Sequence, residues 1–301
     1  MDYFAFAQKI GEADQETELL FPDEFDDFDD EAVIDNPEEA SDAGFYDRHI
    51  GGLRVPTFTA YPVADDGVPR PGVVICPGGG YQILASDKEG HEIARFFNSF
   101  GVAAFVVNYR MPRAEDGDQR PFGPLRDAQR ALRLVRSRAE QYGVNPEKVG
   151  IMGFSAGAHL AATASTLFRD SAETNPDMAT YSCRPDFTIL VYPVITMQGP
   201  VTNAGSSNAL LGTDPDERLK DYFSAERQVS PETPPAILIQ TNDDVVPVEN
   251  SLSYYQALRA AGVPVSLHIY PSGGHGYGMR SPVKPLNSWP EAVRNWLESL
   301  K

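Results

Sequence analysis

The feature that most constrains the fold is an alternation of short apolar runs with longer amphipathic segments from Val73 onward. Six runs have the length of strands, and several are apolar throughout, as in strands covered on both faces. They are Val73–Cys76, Ala103–Asn108, Val149–Gly153, Thr188–Tyr192, Ala236–Gln240 and Ser266–Tyr270. Such alternation predicts an α/β fold with a mostly parallel central sheet and helices on both faces.

Helical segments fill the intervals between the runs. In one of them Leu125, Ala128 and Leu132 share a face, with arginines opposite. The predicted helices are Gly90–Phe100, Leu125–Tyr142, Ala156–Leu167, Ser251–Ala261 and Trp289–Leu300. We find no internal repeat and no long linker, so residues 48–301 are predicted to form one domain.

The first 47 residues differ in charge from the rest. They hold 17 acidic residues and one basic residue, whereas residues 48–301 hold 26 acids and 24 bases, so most of the net charge of −18 lies in this arm. Mutual repulsion predicts a solvated, partly disordered arm. Aromatic residues that include Phe4, Phe6 and Phe21 leave open the alternative that the arm docks on another chain or on residues 48–301, which we call the body.

Composition excludes several classes of protein. Hydrophobic residues make up 42% of the chain, which excludes wholesale disorder, and no basic stripe suits a nucleic acid. The N-terminus lacks the pattern of a secretory signal, and no apolar run could span a membrane. Cys76 and Cys183 have no metal-site spacing and are predicted to be reduced, buried thiols. We expect a cytoplasmic protein without a metal.

Residues 153–157 read Gly-Phe-Ser-Ala-Gly between an apolar strand and an Ala-rich helix. A tight strand-to-helix turn strains the central serine, and glycines two residues to either side remove the clash. The hydroxyl is then exposed above the sheet at a helix N-terminus. This context predicts that Ser155 is a nucleophile.

A nucleophilic serine needs a base and an orienting carboxylate. His275 lies among glycines in a loop after the last predicted strand, where an imidazole stays accessible for proton transfer. Asp243 and Asp244 directly follow the strand Ala236–Gln240. The spacing Asp-x-x-Val-Pro favours Asp243 as the orienting residue, with Asp244 as the alternative.

The glycine run Pro77-Gly78-Gly79-Gly80-Tyr81 follows the first strand of the body. Backbone N–H groups of Gly79 and Gly80, with that of Ala156, are predicted to form an oxyanion hole. The run lacks the spacing of a dinucleotide or phosphate loop, so no cofactor is expected.

These motifs resemble the α/β hydrolases, and in particular the acetylxylan esterase branch of the carbohydrate esterases, which is related to dienelactone hydrolase and prolyl oligopeptidase. The resemblance covers roughly residues 50–301. It is carried by CPGGGY at 76–81, KEG at 88–90, FVVNYR at 105–110, DAQRALRLVR at 127–136, MGFSAGAHLAA at 152–162, RPDFTILVYPVI at 184–195 and VVPVENSLSYYQALRAAGVPVSLHIYPSGGHGYG at 245–278. It implies an α/β-hydrolase fold with Ser155, Asp243 and His275 as the catalytic triad.

The expected activity is that of a serine esterase that removes small acyl groups, such as acetyl, from carbohydrate esters. Residues 199–232 are expected to form part of a short cap, with Tyr81 and Tyr277 flanking the opening and contacting substrate. The partner would be a small-molecule or oligosaccharide ester. A formamidase or general small-ester hydrolase, and a non-catalytic binding protein of the same fold, remain as alternatives.

Overall fold

The computed structural model describes residues 17–28, 47–63 and 67–300 and the backbone of Val33–Asp35. Eight strands form a central sheet: β1 (Thr17–Leu19), β4 (Thr57–Tyr61), β5 (Arg70–Cys76), β7 (Ala103–Asn108), β8 (Val144–Phe154), β9 (Thr188–Val191), β10 (Ala236–Thr241) and β11 (Val265–Tyr270). A small second sheet contains β2 (Val33–Asp35), β3 (His49–Gly51) and β6 (Ile83–Ala85).

The strand order of the central sheet is β1-β4-β7-β5-β8-β9-β10-β11. β4 is antiparallel to both of its neighbours, and the strands from β7 to β11 are mutually parallel. The six predicted strands are all present, and the prediction of a mostly parallel sheet is confirmed. Because parallel strands end at one edge, the loops after β5, β8, β10 and β11 are brought together.

Eight α-helices are present in the described residues: α1 (Glu92–Asn98), α2 (Phe122–Ser137), α3 (Ala156–Thr166), α4 (Pro176–Ala179), α5 (Ala204–Leu211), α6 (Glu217–Tyr222), α7 (Glu249–Ala260) and α8 (Trp289–Ser299). A π-helical turn, Asp87–His91, leads into α1. Single 3₁₀ turns cover Ala225–Arg227 and Leu286–Ser288, and Ala114–Gln119 is 3₁₀-helical on both sides of a kink at Gly117. The sequence did not predict α4, α5 or α6, which are short.

Two hydrophobic cores lie on opposite faces of the sheet. In β5, Val74 and Cys76 belong to the core shared with α2, α3 and α7, whereas Val73 and Ile75 belong to the core shared with α1 and α8. Side chains of a strand alternate between the faces, so a strand covered on both sides must be apolar at every position. This explains the continuous apolar runs in the sequence.

The described part of the acidic arm, residues 17–28, docks on the body; we call it the docked segment. β1 extends the sheet beside β4, and the Phe21 ring is fully buried against the guanidinium groups of Arg130 and Arg126, at 4.2 and 4.7 Å from its centroid. Asp23 forms an ion pair with Arg130 at 2.9 Å. Residues 17–28 therefore pack against the rest of the protein. Phe4 and Phe6 lie outside the described residues.

Residues 199–232, expected to be part of the cap, hold α5 and α6. The Arg120 side chain donates hydrogen bonds to the carbonyl of Ala209, at 2.8 and 3.0 Å, and so connects α5 to the segment that precedes α2. In the part of the chain that the structure describes, no helix is both long and apolar enough to cross a bilayer.

Candidate active site

Ser155 occupies a strained turn between β8 and α3, with φ of 52° and ψ of −118°. The two flanking glycines are sterically required. A Cβ on Gly153 would lie 2.1 Å from the carbonyl oxygen of Gly157, and one on Gly157 would lie 2.2 Å from that of Cys76. The serine is 9% exposed, and its Oγ lies where the loops of the carboxyl edge converge.

A hydrogen-bonded chain of three side chains runs from Ser155 to a buried carboxylate. His275 Nε2 lies 2.8 Å from Ser155 Oγ, and His275 Nδ1 lies 2.7 Å from Oδ1 of Asp244. A carboxylate can only accept, so Nδ1 carries the proton and Nε2 is left to accept from the serine hydroxyl. This is the tautomer that a general base needs.

The prediction that Asp243 orients the histidine is wrong, because Asp244 makes that contact. Asp243 instead accepts the N–H groups of Gly274 and Gly273 at 2.8 and 3.1 Å, and these bonds hold the pKa of its carboxyl below the usual range. The Asp244 side chain is fully buried and also accepts from the N–H of Val246 at 2.7 Å. This backbone contact turns Asp244 inward, a choice that the spacing of two adjacent aspartates could not reveal.

The glycine loop, residues 77–81, lies beside Ser155. A Cβ on Gly78 would lie 3.0 Å from that of the serine. Gly79 and Gly80 have φ of 138° and 67°. Within the described residues, the N–H groups of Gly79, Gly80 and Ala156 donate to no protein acceptor. Three free donors near the serine are what an oxyanion hole requires, so that assignment stays a prediction with compatible geometry.

The expectation that Tyr81 and Tyr277 flank an opening is wrong, because they are only 2% and 7% exposed. The Tyr81 hydroxyl lies 2.7 Å from Nδ1 of His159, whose Nε2 lies 2.7 Å from the carbonyl oxygen of Phe223 in the cap. The carbonyl must accept, so Nε2 carries the proton and Nδ1 accepts from Tyr81. Burial lowers the pKa of His159 to about 4, which keeps the ring neutral.

Glu89 is a buried residue of the site that the sequence reasoning did not single out. It is 3% exposed and accepts from the N–H of Gly78 and from the hydroxyl of Tyr192, both at 2.7 Å. Tyr192 in turn accepts from the N–H of Gly278 at 3.1 Å, and its ring centroid lies 4.8 Å from that of His275. The KEG motif contains Glu89, but nothing local in the sequence predicts these partners.

In the described residues, no group of three or more His, Cys, Asp or Glu side chains could hold a metal ion. A cavity of about 470 Å³ is lined by residues that include Arg70, Val102 and Pro235. These residues stand at or just before the amino ends of β5, β7 and β10, so the cavity is at the edge of the sheet opposite Ser155.

The strand order, the strained serine turn and the Ser155–His275–Asp244 chain define the protein as an α/β-hydrolase. A family model described as BD-FAE matches residues 60–258. The chain belongs to this family.

Relatives agree with that assignment. The chain is 41% identical over 233 residues to an acetylxylan esterase of Xylanibacter ruminicola, covering 76% of this chain and 45% of the relative. It is 41% identical over 223 residues to endo-1,4-beta-xylanase B of Butyrivibrio fibrisolvens, covering 74% and 34%. The crystal structure of an acetyl ester-xyloside bifunctional hydrolase from Caldicellulosiruptor lactoaceticus superposes with a TM-score of 0.75 at 40% identity, covering 82% and 89%.

These matches confirm the predicted resemblance to the acetylxylan esterase branch. The chain spans less than half of the length of the two curated relatives it matches.

Proposed function

We propose that this protein is a serine esterase that removes acetyl groups from xylose-containing oligosaccharides. The observation that carries the proposal is the chain from Ser155 Oγ to His275 and on to buried Asp244, with distances of 2.8 and 2.7 Å. The names of the acetylxylan esterase and the acetyl ester-xyloside hydrolase support the choice of acyl group and sugar.

The proposed reaction has two halves. His275 Nε2 takes the proton of Ser155 as Oγ attacks the ester carbonyl, and N–H groups of Gly79, Gly80 and Ala156 stabilise the oxyanion. The bond to the sugar oxygen then breaks, and that oxygen leaves with the proton from His275. Water repeats the sequence on the acetyl-serine, which releases acetate and restores the serine hydroxyl.

Asp244 would stabilise the imidazolium that forms twice in each cycle. Its carboxylate is fully buried beside His275 Nδ1, where a charge interaction is screened less than at the surface. The Val246 N–H and the Gln240 side-chain amide, 3.1 Å from Oδ2, keep it in place.

The first test is the release of acetate from acetylated xylo-oligosaccharides, with p-nitrophenyl acetate alongside, by wild type and Ser155→Ala. We expect both substrates to react and the variant to lose at least ~10³-fold in kcat/KM. Reaction of the aryl ester alone would favour a general small-ester hydrolase. An unaffected variant would contradict the proposed nucleophile, and no reaction at all would favour a non-catalytic binding protein.

A further inference from the structure

We propose that Glu89 is a positioning residue that locks the glycine loop to the histidine loop, residues 271–278, through Tyr192. The inference rests on the proposed function, because it concerns how the same site is held together. One carboxylate oxygen accepts the N–H of Gly78 in the glycine loop. The other accepts the hydroxyl of Tyr192, which accepts the N–H of Gly278 in the histidine loop.

Burying a carboxylate costs desolvation free energy, which its hydrogen bonds must offset. Glu89 is 3% exposed, and no cation among the described residues forms an ion pair with it. A buried carboxylate is tolerated only when its oxygens are hydrogen-bonded, so both donors are held strongly at 2.7 Å. The carboxylate therefore joins the two loops through two short hydrogen bonds.

Backbone strain marks the same place. In the described residues, the only non-glycine residues with positive φ are Tyr81, Ser155 and Tyr192, at 61°, 52° and 39°. They belong to the glycine loop, the nucleophile turn and the bridge to the histidine loop. Strained conformations persist only where the surroundings determine them, and they cluster at functional sites.

Glu89 holds the glycine loop directly and the histidine loop through Tyr192. Gly78 precedes the two predicted oxyanion donors, and its N–H bond to Glu89 fixes the Pro77–Gly78 peptide plane, which directly precedes the plane that carries the Gly79 N–H. A Cβ on Gly78 would lie 2.6 Å from the Glu89 carboxylate, so the close approach of the loop to Glu89 requires a glycine there. On the other side, the Tyr192 ring packs at 4.8 Å from the ring of His275 and at 4.5 Å from that of Tyr277.

The test uses Tyr192→Phe, Glu89→Gln and the double variant, with kcat and KM measured on p-nitrophenyl acetate and on an acetylated xylo-oligosaccharide. Tyr192→Phe releases only the histidine loop. We expect kcat on the sugar ester to fall about 10- to 100-fold, the effect of a small misplacement of reacting groups, with KM changed less than about 3-fold. The aryl ester should lose less, because its leaving group does not need the proton from His275.

Glu89→Gln replaces one carboxylate oxygen by an N–H₂ group, so one of the two donors, the Gly78 N–H or the Tyr192 hydroxyl, loses its acceptor. We expect kcat to fall on both esters. In the double variant the opposing hydroxyl is gone, and the remaining carbonyl can accept from Gly78. The double variant should therefore be no slower than Tyr192→Phe alone. If Glu89→Gln does not fold, Tyr192→Phe carries the test, since it removes a single oxygen atom.

Ser165→Ala is the matched control for a lost buried hydrogen bond. Ser165 is fully buried on α3 and hydrogen-bonds Thr188 at 2.7 Å, away from the catalytic loops. It should lower the melting temperature without changing kcat. The inference is overturned if Tyr192→Phe behaves like this control, or if the losses of the two single variants multiply in the double. If wild type cleaves only the aryl ester, the sugar proposal fails, and the comparison of kcat among variants on that ester still decides the role of Glu89.

Discussion

The carboxyl edge of the sheet and the docked segment surround their carboxylates in opposite ways. At the carboxyl edge of the sheet, Asp244 and Glu89 are buried carboxylates whose partners are a histidine, a tyrosine, a glutamine and backbone N–H groups. In the docked segment, Asp23 and Glu24 pair with Arg130 and Arg126 of α2, and Asp23 keeps 33% of its side-chain surface exposed.

Burial decides how much the loss of one such contact costs. A buried acceptor that loses its donor has no water to replace it, so a single lost hydrogen bond displaces or destabilises the group. An exposed ion pair that is broken is rehydrated, and its contribution is typically below ~1 kcal/mol. Three changes test this contrast.

The largest expected effect separates the two adjacent aspartates. Asp244→Asn should lower kcat by about 10⁴-fold, because the amide favours the wrong tautomer of His275 and cannot stabilise its charge. Asp243→Asn changes an exposed carboxylate that does not contact His275 and leaves one oxygen to accept from the loop N–H groups, so it should change kcat by less than about 3-fold. Steady-state hydrolysis of p-nitrophenyl acetate measures both, and similar losses in the two variants would contradict the contrast.

The second change concerns the docked segment. Phe21→Ala should lower the free energy of unfolding by about 3 kcal/mol, because it empties a fully buried aromatic site under Arg126 and Arg130. Hydrolytic activity at 25 °C should not change, since the segment contacts none of the catalytic side chains.

Asp23→Asn is the matched control on the same segment and should cost less than Phe21→Ala, about 1 to 2 kcal/mol, because Asp23 is a third exposed although its partner Arg130 is buried. Urea denaturation of the three proteins compares them. If Asp23→Asn destabilised the protein as much as Phe21→Ala, the ion pairs rather than the ring would hold the segment.

The third change is a pH dependence. Burial lowers the pKa of His159 to about 4, whereas an unfolded histidine titrates near its usual 6.5. Between these values the unfolded state binds more protons, so this group's contribution to stability is complete above pH 6.5 and is lost as the pH falls to about 4. The full loss corresponds to about 3 kcal/mol.

His159→Gln should remove that part of the pH dependence. The measurement is the difference in unfolding free energy between variant and wild type from pH 4 to 7. The difference is needed because Glu92, whose pKa burial raises to about 7, acts in the opposite sense, and burial lowers the pKa of His91 to about 4 in the same range. A constant difference across the range would mean that His159 is not buried as a neutral ring. The Arg130 hydrogen bond lowers the pKa of Asp23 to about 2, so the stability that this carboxylate contributes is complete above pH 4 and is lost only below it, outside the measured range.

The sequence by itself determined the order of the main strands and helices, because a strand covered on both faces must be apolar throughout. It also determined the serine turn, since Gly153 and Gly157 leave room there that no other residue would. The glycines around His275 likewise indicated a histidine on a loop. Short elements such as α5 and α6, and edge strands such as β1, carry too few residues for a periodic signal.

Only the tertiary structure decided which aspartate faces the histidine, and that Tyr81 and Tyr277 are buried rather than open to substrate. It alone placed Phe21 under the arginines of α2 and brought Glu89 between two loops that are far apart along the chain. Each of these depends on where a side chain meets a partner distant in sequence. Local spacing fixes which residues leave a strand together, but the direction of each side chain is set by hydrogen bonds and burial that exist only after the loops have converged.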